Sequence, residues 1–128
     1  MGQPAAKEGD QVMATDIHLI QPPAPGPPVP VPHPFMGKLD GALSSDVKIM
    51  GKAAAVQGST ATNSPQHVPQ GGTFVKPPAN KGTIQLGSTT VMINGKAAAR
   101  NGDVAMTCND PADLPVGTVI ATGTVLIG

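Results

Sequence analysis

The chain has 128 residues, enough for one small domain, and a formal net charge of zero. No Lys/Arg stripe is present to hold nucleic acid or an anionic membrane surface, and the opening residues lack the apolar core of a secretory leader. With no Trp, no Tyr and 2 Phe against 16 Gly and 15 Pro, the core is thin, so a metal, an oligomer or a partner is expected to help hold it.

From the start of the chain, residues 3–10 (QPAAKEGD) read as half of a repeat. Residues 47–58 (VKIMGKAAAVQG) lie on residues 91–102 (VMINGKAAARNG) after a shift of 44 positions, with 8 of 12 residues identical. Residues 3–10 align with 96–103 (KAAARNGD), and the missing front half stands at the other terminus, where 125–128 (VLIG) match 91–94 (VMIN). The two ends are therefore expected side by side, in a domain of pseudo-threefold symmetry.

Each copy reads as β-structure. Val91 and Ile93 alternate about Met92, and Asn94-Gly95 is a strong two-residue hairpin turn. The Lys-Ala-Ala-Ala-Arg segment favours helix in isolation, but the glycine turns on either side leave too few residues for one. Small alanines suit strands crowded about one axis instead. The expected fold is all-β: a small conical domain of short strands and hairpins over residues 1–128. Between the copies, residues 21–34 and 65–82 are Pro-rich inserts, expected to be extended and to stay out of the central sheet. The apolar stretch at residues 116–128 is too short and too rich in Gly and Thr to span a bilayer, so no stable membrane association is expected.

The metal-capable residues follow the repeat. His18 lies eight positions after Asp10, and His67 eight after Ser59, so they share one repeat position. The third copy has Pro111 there and offers Cys108 close by, while His33 comes from the first Pro-rich insert. A lone histidine is more often an ordinary hydrogen-bonded residue, and a lone cysteine a small buried hydrophobe. Jointly, three imidazoles and one thiolate make a closed tetrahedral set that suits structural zinc, with iron as the alternative. A zinc hydrolase is a weaker reading: Glu8 is the single Glu, and neither H-E-x-x-H nor G-x-S-x-G occurs. The expectation is a chain that is not an enzyme.

These residues resemble the PAAR family, the tip proteins of type VI secretion and related phage tail-like contractile injection systems. Residues 4–10 (PAAKEGD) are similar to its naming motif with Lys in place of Arg, residues 91–103 (VMINGKAAARNGD) to a second copy with Ala97 in place of Pro, and residues 123–128 (GTVLIG) to the closing strand. The middle copy, residues 52–59 (KAAAVQGS), lacks both the Arg and the Asp. The resemblance implies a structural tip that caps and sharpens a trimeric VgrG-type spike, one tip per trimer, to help pierce a membrane, with effector attachment as an added role and a cargo adaptor as the alternative. It implies synthesis in the bacterial cytoplasm without a signal peptide, assembly at the particle tip and delivery outside the cell. It places His18, His67 and Cys108 in ligand-bearing segments. The apolar strand residues Val47, Ile49, Val91, Ile93, Val125 and Ile127 are the candidates for filling the axis or contacting the spike. Because the motifs run from residue 3 to the last strand, no effector extension is expected.

Overall fold

The computed structural model describes residues 2–128, with strands numbered along the chain and no helix among the described residues. Three antiparallel ribbons repeat one geometry. β1 (Gln3–Pro4) pairs with β13 (Leu126–Ile127), β4 (Lys48–Ile49) with β5 (Lys52–Ala53), and β9 (Met92–Ile93) with β10 (Lys96–Ala97). Gln3 faces Ile127 across the first ribbon, so the two ends of the chain form one hairpin unit together. Asn94 and Gly95 have φ of 53° and 77°, the left-handed pair that a type I′ turn demands.

Each ribbon leads through a tight turn into a longer hairpin. The turns are closed alike: Asp10 Oδ2 accepts the Lys7 N–H (3.0 Å), Asp103 Oδ2 the Arg100 N–H (2.7 Å), and Ser59 Oγ the Val56 N–H (2.9 Å). Ser59 thus does the work of the missing aspartate in the middle copy. Between the ribbons, the Ala6 N–H donates to the Ala99 carbonyl (2.9 Å), Ala99 to Ala55 (3.0 Å) and Ala55 to Ala6 (3.0 Å). This closed triangle of backbone bonds is the pseudo-threefold axis. All three alanines are completely buried, because any longer side chain would push the strands apart.

Beyond the axis stand three hairpins: β2 (Gln11–Gln21) with β3 (Val29–Gly41), β6 (Thr60–Asn63) with β8 (Lys81–Ile84), and β11 (Val104–Thr107) with β12 (Leu114–Ile120). The order β12-β11-β8-β6-β3-β2 closes on itself through β12–β2 pairing, and β7 (Thr73–Phe74) adds to the far end of β2. The core lies inside this closed sheet in threefold layers. Val12, Ala61 and Ala105 form one, and Leu39, Ile84 and Val119 the next. Gly37, Gly82 and Gly117 stand two residues before the members of that second layer. A Cβ on Gly37 would lie 2.9 Å from Phe35 Cε1, and one on Gly82 3.3 Å from Phe35 Cζ. Gly37 and Gly82 thus make room for the buried Phe35 ring.

The expectation that residues 21–34 avoid the central sheet is wrong for 29–34, which belong to its longest strand. The register explains how. Val31 and His33 oppose His18 and Asp16, while the β2 amides of Ile17 and Leu19 turn away from β3 to Asn109 Oδ1 (2.7 Å) and Asp110 Oδ2 (2.8 Å). Pro30 and Pro32 oppose Leu19 and Ile17, and Pro34 opposes Thr15 at the next position of the same alternation, so the donors they lack belong to the outer edge of β3. The second insert also contributes strand, as β7 and the start of β8.

On the ribbons, Ile49, Ile93 and Ile127 are 6%, 8% and 6% exposed and pack with Ala5, Ala54, Val56 and Ala98 in a second core. Val91 is partly buried against them. Val47 and Val125 are exposed, as are Met50, Met92 and Leu126.

Candidate metal centre

The ribbons join the closed sheet where its strands enter; the chemistry-bearing residues lie at the opposite strand ends. Asp16 and His18 sit two apart on β2 and so point to one face, with His33 opposite Asp16 on β3. His67 follows β6, and Cys108 immediately follows β11. The three imidazole centroids are 5.0 Å (His18–His67) and 5.4 Å (His33 to each of the others) apart. Donor atoms of Asp16, His18, His67 and Cys108 all lie within 4.8 Å of one another.

The surroundings lock each ring. His33 Nδ1 donates to the Val31 carbonyl (2.9 Å), which leaves Nε2 with a lone pair. His67 is placed by its backbone N–H, which donates to Asn80 Oδ1 (2.8 Å), and its Nδ1 lies 3.3 Å from Asn63 Nδ2. His18 Nδ1 faces Asp110 Oδ2 at 3.5 Å. Asp16, completely buried, receives the Thr107 hydroxyl (2.5 Å) and Asn109 Nδ2 (3.4 Å) on Oδ1, while Oδ2 lies 2.9 Å from His67 Nε2 and 3.4 Å from Cys108 Sγ.

Burial depresses the His18 pKa and pushes the Cys108 thiol up to about 11, with the nearby Asp16 charge adding to the second effect. Both shifts favour neutral groups in the absence of an ion. His18 Nδ1 and Nε2 and His33 Nε2 are buried without a hydrogen-bond partner. Unpaired buried polar atoms are costly, and a cation is the partner that such lone pairs accept. The donor set therefore fits a metal.

Of the four residues singled out in the sequence, His18, His67 and Cys108 fall in this donor group together with Asp16, while His33 stands beside it, its ring 5.4 Å from those of His18 and His67 and its donor atoms outside the group. Asp16 escaped that reading, along with its supports Thr107 and Asn109. The signal was the Asp-x-His spacing inside a strand, since period two brings both side chains to the same face.

A closed, threefold-repeated all-β domain with a histidine, cysteine and carboxylate cluster at one end is the class that fold and site define. The PAAR motif family model matches residues 23–111, more than two thirds of the chain, and the protein belongs to that family. None of the curated proteins compared with it matches.

Proposed function

We propose that this protein is the tip that caps and sharpens the trimeric spike of a contractile injection system. One observation carries the reading: a single chain presents three near-equivalent ribbons, β1–β13, β4–β5 and β9–β10, about one axis. A trimer end offers the same surface three times, and one copy of a pseudo-threefold chain meets all three with like contacts. Val47, Val125, Met92 and Leu126 supply exposed apolar area at this end, while Ile49, Ile93 and Ile127 brace it from within. Such a cap also covers the unpaired strand edges of the spike.

The role is mechanical, with no catalytic step. Sheath contraction supplies the work, carrying the tip from the cytoplasm where it is made to the target membrane. The His18, His33, His67 and Cys108 side chains would hold a structural zinc ion that cross-links three hairpins at the end opposite the ribbons. Metal binding free energy then adds to folding free energy, which offsets the thin core.

Co-expression with a candidate trimeric spike tests this. The expected product is a complex of one chain per three spike subunits with about one metal ion per tip. Met92→Asp combined with Leu126→Asp is expected to abolish capping while leaving circular dichroism and metal content unchanged. Binding in equal numbers of tip and spike subunits, or capping indifferent to the double substitution, would refute the proposal.

A further inference from the structure

We infer that Pro30, Pro32 and Pro34 are an edge block: they close the outer edge of β3 to strand addition, and above all to pairing with a second copy of this chain, so that the protein stays monomeric. The block lies on the side of the closed sheet and is independent of what the ribbons or the polar cluster bind.

Along β3, alternate residues turn their backbone groups inward to β2 and outward to the other side. Residues 30, 32, 34, 36 and 38 are the outward set. Lys38 is covered by β6, opposite Thr62. Met36 is covered by the end of that strand: its N–H donates to Asn63 Oδ1 (2.9 Å) and its carbonyl accepts the Ser64 N–H (3.3 Å). There β6 stops, and among the described residues no strand or backbone bond covers the outer side of β3 beyond Met36. Each outward position left bare, 30, 32 and 34, is a proline.

The opposite edge of the same hairpin is closed by other means. β2 leaves β12 at Met13. Beyond it, the Ile17 N–H donates to Asn109 Oδ1 and the Ile17 carbonyl accepts the Asp110 N–H (2.9 Å). The Leu19 N–H donates to Asp110 Oδ2 and the Leu19 carbonyl accepts the Val75 N–H (3.1 Å). β3 has no such cover, and an open edge beside the exposed Val29 is a template for a further strand. Two copies of β3 meeting antiparallel would set Pro32 against Pro32, and Pro30 of one copy against Pro34 of the other. Each such pair needs the N–H groups of both residues. All of those donors are proline nitrogens, which carry a ring carbon in place of hydrogen. A foreign strand still finds three carbonyls to bond. A second copy finds carbonyl facing carbonyl and no donor, so self-pairing is the arrangement excluded most completely.

Sedimentation velocity of the full-length chain across a range of concentrations tests the block. The wild type is expected to remain a monomer. Pro30→Val combined with Pro32→Val and Pro34→Val restores the donors with residues that suit a strand, and is expected to strengthen self-association by about tenfold or more. The three new amides should exchange quickly in the dilute monomer and slowly in the associated form. Pro22→Ala with Pro23→Ala and Pro25→Ala, in the loop between β2 and β3, is the matched control and is expected to stay monomeric. Where circular dichroism shows the edge triple variant unfolded, Pro32→Val alone, which restores the central donor of each copy, is read by the same two measurements. A folded edge variant that stays monomeric at every concentration overturns the inference. So does one that associates while its new amides exchange freely, a loop control that associates as strongly, or a wild type that dimerises through residues 29–35.

Discussion

Cys108 and His18 limit the metal-free protein from opposite ends of the pH scale. The Cys108 thiol has a folded pKa of about 11 against an ordinary 9.0, so the unfolded chain gives up that proton more readily. Its contribution to stability is complete below pH 9 and is lost as pH rises from 9 toward 11. His18 is depressed below its ordinary 6.5, so its contribution is present above pH 6.5 and drains away as pH falls further. Metal-free protein should therefore be most stable between these limits, with an alkaline loss of about 3 kcal/mol from the thiol. Denaturant titrations across pH will show it, and Cys108→Ala is expected to flatten the alkaline limb alone. His18, His67 and Cys108 were legible because repeat register put them at related positions; Asp16 was not, because its counterparts Pro65 and Asn109 carry no charge.

At the level of the hairpin, the copies differ where the turn residue differs. Asn94-Gly95 and Met50-Gly51 adopt the same left-handed pair, with φ of 53° at both Asn94 and Met50. Asn tolerates that conformation through local hydrogen bonding, whereas a Met side chain meets backbone crowding there. Met50→Asn is expected to stabilise the protein by about 0.5–1 kcal/mol, read as a higher denaturant midpoint at unchanged slope. The Ser59 turn gives the opposite test. Its hydroxyl accepts the Val56 N–H and donates to the Ala42 carbonyl at 2.9 Å each, in a completely buried position. Ser59→Ala leaves both groups unpaired and is expected to cost about 2 kcal/mol in equilibrium unfolding. The ribbons were readable as strands from alternation and turn chemistry. The Pro-containing strand β3 was not, because whether proline breaks a strand depends on which edge its missing donor faces, and only pairing decides that.

Across the whole molecule, the alanine triangle with the isoleucine core lies toward one end, and the polar cluster toward the other. Local stability should divide the same way. Removing the metal with a chelator is expected to speed amide exchange around Asp16–His18, His33, His67 and Cys108–Asp110, while the Ala6, Ala55 and Ala99 amides stay protected. Uniform loss of protection would show that both ends unfold as one unit. The internal repeat by itself determined the threefold plan, the meeting of the termini, the all-β class and the family, since identical short motifs prefer identical local geometry. Tertiary structure alone decided that prolines could line the edge of a central strand, that Gly37 and Gly82 clear room for Phe35, and that Asp16 joins the imidazoles. Each depends on what lies across the barrel, and distances between strands far apart in the chain are not written in local sequence.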